Sequence, residues 1–159
     1  MKSADKIISW EQLPAWRDAL RAQGRKLVVT NGCFDVLHAG HVEYLQEARR
    51  QGDVLIVGMN SDDSVKQLKG PSRPINNVDS RALVLAGLTA VDYVAVFEQS
   101  TPLELIKAVK PDVLVKGADY RADEVVGGEF VKSYGGRIYL APLREGLSSS
   151  NILRKLEAA

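Results

Sequence analysis

The sequence predicts a doubly wound α/β fold: a five-stranded parallel sheet with helices on both faces. Two observations carry this. Five short runs rich in Val, Ile and Leu recur along the 159 residues without polar alternation, as in strands buried on both sides. Between them lie segments of helical period with their own start and stop residues.

The elements are justified in order. In "WEQLPAWRDALRAQG", Leu13, Trp16, Ala19 and Leu20 fall near helical spacing, which predicts a helix over about 10–23 with Gly24 at its end. "KLVVTNG" is a β-branched run closed by a turn dipeptide, a buried strand. "HVEYLQEARRQGD" follows as a helix and "VLIVGMN" as the second strand. "SDDSVKQLKGPSRPINN" starts as a short helix and becomes a basic, Pro-containing loop. "VDSRALVLAGLTA" is a helix and "VDYVAVF" the third strand. In "TPLELIKAV" the pattern predicts Thr101 as N-cap, Pro102 at the first helical position and Glu104 closing a capping box. "PDVLVKG" is the fourth strand. A weaker helix over about 121–134 is interrupted by Gly127 and Gly128. "GRIYLAP" is the fifth strand, and a helix over about 149–157 opens with three hydroxyls. No linker, repeat or low-complexity tract divides residues 1–159, so one domain is expected.

Composition narrows the partners. A formal net charge of +1 gives no global argument for nucleic acid or a membrane surface. No apolar run approaches the ~18–20 residues of a membrane helix, and the first residues lack the apolar core of a secretory leader. The single cysteine, Cys33, rules out an internal disulfide framework and fits a reducing cytosol. A cytoplasmic chain with a small-molecule partner is the expectation.

Ligands of doubly wound sheets sit beyond the carboxyl ends of the strands. Chemistry is therefore sought in loops 31–41, 60–77, 116–120 and 142–150. Both histidines of the chain, His38 and His41, fall in the first of these, in "HAGH". Gly40 lets backbone approach a ligand, and the helix that begins there offers free N–H groups and a positive dipole end. Imidazoles at i and i+3 share one face and can donate to the same phosphate. The alternatives are two unrelated polar loop residues, or a zinc site that would need a third ligand such as Cys33 or Asp35. No strong metal-ligand cluster is apparent. There is no Walker Gly-Lys-Ser/Thr and no G-x-G-x-x-G after the first strand.

"GCFDVLHAGHVEYL" resembles the signature of the HxGH nucleotidyltransferases, the cytidylyltransferase-like superfamily. "REGLSSSNIL" resembles its second motif, Arg-x-x-Gly-Ile-Ser-Thr/Ser-Ser/Thr-x-Ile, with Leu147 in place of isoleucine. The pair lies far apart in the chain and in the expected order. Within the superfamily, the leading helix before "KLVVTNGCFD", the loop "LKGPSRPINNVDSR" and "KGADY" resemble the adenylyltransferases of bacterial ADP-heptose synthesis. These act on D-glycero-β-D-manno-heptose 1-phosphate and often lie behind a sugar kinase; 159 residues leave no room for one, so a stand-alone form is expected. Glycerol-3-phosphate cytidylyltransferases are the nearest alternative. They usually show Gly-Thr-Phe-Asp where this chain has Gly32-Cys33-Phe34-Asp35, and Gly-Asp-Asp-Trp where it has Gly117-Ala118-Asp119-Tyr120. A sensor that binds nucleotide without turnover is a third reading, against which the intact His38, His41, Lys69 and Arg144 argue.

The resemblance implies attack of a sugar phosphate oxygen on the α-phosphorus of ATP, with release of pyrophosphate. His38 and His41 are then expected on the α- and β-phosphates, and Ser148, Ser149 and Ser150, beside Leu147, on the β- and γ-phosphates. Arg144 is expected to pair with phosphate. Lys69 aligns with a lysine of a mobile loop, so residues 66–77 are expected to be mobile when empty and to close over the triphosphate. Arg81 aligns with an arginine that reaches substrate or nucleotide phosphates. Gly117, Asp119 and Tyr120 are expected to hold base and ribose, with Cys33, Phe34, Gly40 and Asn60 also beside the nucleotide. Asn31, Gly32, Asp35 and Arg73 fall on the acceptor side, Cys33 being a packed residue rather than a nucleophile. Mg²⁺ is expected on the triphosphate, held mostly by substrate and water. A homodimer is the oligomer the resemblance suggests.

Overall fold

Strands with two apolar faces can leave neither in water, and the five apolar runs meet this constraint in one parallel sheet. The computed structural model describes residues 1–159. The strands are β1 (Leu27–Gly32), β2 (Val54–Asn60), β3 (Tyr93–Phe97), β4 (Val113–Gly117) and β5 (Arg137–Ala141), in the order β3-β2-β1-β4-β5. The helices are α1 (Leu13–Ala22), α2 (Ala39–Arg49), α3 (Asp62–Lys69), α4 (Val78–Ala86), α5 (Leu103–Val109), α6 (Gly128–Ser133) and α7 (Ser149–Ala158).

Side chains of alternate strand residues point to opposite faces, and two cores result. On one face Leu27, Val29, Ile56, Phe97 and Leu114 pack under α1, α5 and α6. On the other, Val28, Leu55, Val57, Val94 and Val115 pack under α2 and α4. The sheet grows outward from β1 in both directions, so the loops after β1 and β4 diverge at a switch point. β1 stays in register with β2 from Leu27↔Val54 to Gly32↔Met59, but with β4 only at Val28↔Val113 and Val29↔Leu114. Past Val29 the two central strands separate, and this gap opens the crevice.

Local chemistry explains where the helices depart from expectation. Residues 10–12 form a separate 3-10 turn ahead of α1, and Gly24, at φ +68°, turns the chain after the helix. Thr101 does not cap α5. Pro102 occupies the N-cap, helix begins at Leu103, and Glu104 pairs with Lys107 instead of closing a capping box. The expected helix over 121–134 is a 3-10 turn (Ala122–Glu124) followed by α6. It breaks at Gly127, whose φ of +81° is left-handed and whose missing Cβ leaves room for Ile106, 2.8 Å from where that atom would lie.

Gly58, in the middle of β2, brings α5 down onto the sheet. A Cβ there would lie 2.6 Å from Cδ2 of the fully buried Leu105. Gly58→Ala is expected to lower stability by about 1–3 kcal/mol through overpacking, read as a fall in the urea midpoint with an unchanged slope.

Candidate active site

The first loop is built by a strained residue. Phe34 has φ +47°, a conformation that costs a non-glycine residue about 1–2 kcal/mol. The turn folds its ring back over the end of β1, where a Cβ at Gly32 would lie 2.9 Å from it. Position 32 therefore needs glycine, and the buried Phe34 ring comes to rest 5.4 Å from that of His41.

Asp35 follows, only 4% exposed. Its carboxylate accepts from Arg73 Nε (2.8 Å), Ile75 N (2.7 Å) and Asn76 N (2.9 Å), while Asn76 Nδ2 donates to its carbonyl (2.9 Å). Burial pushes the carboxyl up, but these N–H groups and the guanidinium outweigh it and hold it below the usual carboxylate range. Both oxygens are thus engaged within the protein. The expectation that the Asp35 carboxylate faces the acceptor gives way to an anchoring role. The expectation of a mobile loop over 66–77 narrows likewise, because residues 73–76 are tied to Asp35.

His38 is the N-cap of α2, in extended conformation. Its backbone N–H donates to His41 Nδ1 at 3.3 Å, and the two rings lie 3.9 Å apart at 31°. Gly40 is required between them, since a Cβ there would meet the His38 ring at 2.9 Å. With Nδ1 accepting, neutral His41 carries its proton on Nε2. Burial, the adjacent His38 and Lys69 push its pKa down to about 4, and burial also lowers that of His38. His38 Nδ1 is buried without a partner. The pair is therefore two neutral imidazoles beside a helix N-terminus.

The second motif forms another helix start across the cleft. Ser148 caps α7, its Oγ accepting from Asn151 N at 3.0 Å, which leaves the hydroxyl proton free to donate. Ser149 donates its own proton to the Val36 carbonyl at 2.6 Å and so ties α7 to the first loop. Of the three hydroxyls expected on phosphate, that of Ser149 is thus spent inside the protein, and Ser148 and Ser150 line the cleft beside the unpaired backbone N–H groups of the first turn. Arg144 and Leu147 line the same wall, Arg144 in a half-exposed pair with Glu43 at 3.1 Å.

Arg81 departs furthest from expectation. It is 2% exposed and does not line the cleft. Its guanidinium donates to the carbonyls of Cys33 (2.8 Å), Asn60 (2.8 Å) and Asn76 (3.0 Å) and pairs with Asp62 (2.7 Å). Four of its five N–H groups are thus engaged inside the protein, and its charge is paired with Asp62 away from the cleft lining. Every other expected site residue lines one cleft of about 650 Å³, a nucleotide-sized volume. Asn60 is held by Ser64, and the Cys33 thiol is pushed up by burial against the pull of Lys69, Arg81 and Arg73. Gly117 permits the Asp119 carboxylate and Leu143 to fold over the end of β4, 2.6 and 2.9 Å from where a Cβ would lie.

The cleft also holds residues that motif reading passed over: Tyr44, Thr101, Lys116, Val125 and Leu143. Tyr44 bonds Thr30 at 2.6 Å, and burial pushes its pKa up to about 12. Lys116 had a visible signal, a lysine inside an otherwise apolar strand. No three His, Cys, Asp or Glu side chains approach closely enough to hold a metal ion. With Asp35 engaged, a zinc site on the two histidines has no third ligand.

The family model described as cytidylyltransferase-like matches residues 29–155, and the chain belongs to that family. It is 52% identical to bifunctional protein HldE of Magnetococcus marinus, over 99% of this chain and 32% of that one. It is 55% identical to bifunctional protein HldE of Trichlorobacter lovleyi, over 97% of this chain and 31% of that one. The chain thus spans about a third of the length of the curated relatives it matches. It is similar in structure to the lipopolysaccharide core biosynthesis protein from Thermoplasma volcanium GSS1, with a TM-score of 0.62, 29% identity, and coverage of 76% of this chain and 98% of that one. The pantoate-beta-alanine ligase of Francisella tularensis shares the fold, with a TM-score of 0.60 at 17% identity over 96% of this chain and 79% of that one. No helix is long and apolar enough to cross a membrane.

The depressed His41 pKa sets a pH dependence. The unfolded chain, with the ring near 6.5, binds a proton that the folded ring refuses until about pH 4. The stability so gained is fully present above about pH 6.5 and is lost as pH falls toward 4. Urea midpoints measured at pH 7 and pH 4.5 are expected to fall further in the wild type than in His41→Gln.

Proposed function

We propose that the chain transfers the adenylyl group of ATP to D-glycero-β-D-manno-heptose 1-phosphate, giving ADP-heptose and pyrophosphate for lipopolysaccharide core or other surface glycan synthesis. One observation carries the transfer: two stacked neutral imidazoles at the start of α2 share a nucleotide-sized cleft with the N-terminus of α7. The heptose rests on the resemblance of "TNGCFD", "GPSRPINN" and "KGADY", supported by relatives named HldE and by a similar structure named for lipopolysaccharide core biosynthesis.

The chemistry asks little of a base. A phosphate monoester loses its second proton near pH 6, so the acceptor is mostly ionised at neutral pH. One of its oxygens forms a bond to the α-phosphorus of ATP as the bond to pyrophosphate breaks, and pyrophosphate leaves with that electron pair. The protein holds two anions in line and stabilises charge as it develops. His41 Nε2–H donates to the phosphates, and His38 adds a second imidazole. The first turns of α2 and α7 supply backbone N–H groups and Ser148 its free hydroxyl. Lys69 and Arg144 add positive charge around the cleft, while the charge of Arg73 is balanced by Asp35. A Mg²⁺ ion on the triphosphate would supply further neutralisation. Both Asp35 carboxylate oxygens are already engaged, so such an ion would take its ligands from phosphate oxygens and water.

His38→Ala or His41→Ala is expected to lower kcat by a factor of roughly 10²–10³, the effect of losing one preorganised donor, while circular dichroism stays that of the wild type. Near-wild-type turnover would remove the histidines from the mechanism.

Pyrophosphate release measured in one buffer is expected to give a higher kcat/KM for ATP with heptose 1-phosphate than for CTP with glycerol 3-phosphate. The reverse order would overturn the substrate and leave nucleotidyl transfer standing. No turnover with any pair, but measurable ATP binding, would favour a sensor.

A further inference from the structure

Lys116 is the one lysine carried by a strand of the sheet, and the mechanism above gives it no task. Its place follows from strand parity. Leu114 faces the core under α5, so Lys116, two residues on, faces the same side. Asn31 follows Val29 in the same way. Its Cβ lies 3.5 Å from where a Cβ of Gly58 would sit, beside Leu105 of α5. Lys116 Nζ reaches Asn31 Oδ1 at 3.4 Å across the gap between β1 and β4, and stands 4.9 Å over the ring of Tyr120. It forms no salt bridge. Burial pulls its pKa down, while Asp119 and Cys33 pull the other way.

The cleft therefore passes over the edge of the sheet and has two lobes. The histidines and α2 belong to the face opposite α5. The other lobe has Asn31 and Lys116 at its floor and Thr101 and Val125 among its walls. Displacement at phosphorus requires the attacking oxygen to enter opposite the departing pyrophosphate. With the triphosphate held at the starts of α2 and α7, the acceptor arrives from the α5 side. There a half-buried ammonium with a single long amide contact has N–H donors to spare, and a phosphate satisfies them.

We propose that the lobe over α5 is the acceptor subsite and that Lys116, oriented by Asn31, binds the phosphate of the incoming phosphate monoester. The inference rests on the adenylyl-transfer reading above. A charge-assisted hydrogen bond to a partly buried phosphate accounts for a change on the order of 10–100-fold in affinity.

The test compares wild type with Lys116→Ala and Lys116→Arg, each first checked for fold by circular dichroism. With ATP and heptose 1-phosphate, Lys116→Ala is expected to raise the acceptor KM by roughly 10–100-fold and to leave the ATP KM within about threefold. Lys116→Arg should restore part of the loss, because it keeps the charge but not the reach. An ATP KM that rises in step with the acceptor KM, or no change in either, would overturn the assignment. If the wild type fails to turn over heptose 1-phosphate, the proposed reaction falls but the lysine is still decided. Inorganic phosphate is then titrated calorimetrically into wild type and Lys116→Ala, both saturated with α,β-methylene ATP. Weaker phosphate binding by the variant supports the subsite, and equal affinity overturns it.

Discussion

Arg81 is the constraint on which the carboxyl edge of the sheet depends. Its buried guanidinium collects carbonyl groups from the loop after β1 (Cys33), from the end of β2 (Asn60) and from the segment before α4 (Asn76), and it pairs with Asp62 at the start of α3. The need is mutual. A buried cation without partners is prohibitively desolvated, and buried carbonyls without donors are costly as well. Three loops are thereby fixed relative to one another before any ligand arrives. Asp35 repeats the device with the opposite sign, gathering Arg73 and two backbone N–H groups.

Between these two anchors the cleft is left with unbalanced positive character. Charges that serve architecture are neutralised inside the protein, whereas Lys69 and Lys116 face the cavity without ion pairs, and Arg73 keeps one buried guanidinium nitrogen unpartnered. Arg144 has only a half-exposed partner in Glu43, a type of pair that contributes little. Burial meanwhile keeps the imidazoles neutral, so they add oriented N–H dipoles without adding repulsion. Such a site is organised ahead of the reaction, which is where electrostatic catalysis draws its advantage over water.

Much of this was legible in the sequence. The five apolar runs located every strand, because a strand covered on both faces has no polar alternation to blur it. The paired motifs located both helix starts, because glycine and hydroxyl residues at those positions answer backbone needs that any sequence must meet. What the sequence could not separate was a charge aimed at ligand from a charge aimed at the protein's own backbone. Arg81, Asp35 and Ser149 are the right residue types at the right edge of the sheet, yet most of their partners are protein groups distant in sequence and invisible to spacing. Thr101 misled for a local reason: a Thr-Pro pair fits a helix start in two registers, and the chain adopts the later one. Lys116 carries a signal, a lysine within an apolar strand, but its direction is plain only from parity with Leu114 and its proximity to Asn31.

The slender attachment of α7 has a consequence for how the molecule comes apart. None of its residues is buried, and Ser149 tethers its first turn to the loop after β1 through the Val36 carbonyl. Detaching it exposes little apolar surface and breaks no sheet ladder, so the free energy of that opening is small and independent of the free energy of global unfolding. One wall of the cleft is therefore carried by a helix with no buried residue. Under the proposed adenylyl transfer, an opening at α7 would free the pyrophosphate side of the cleft while the core beneath the sheet stays closed.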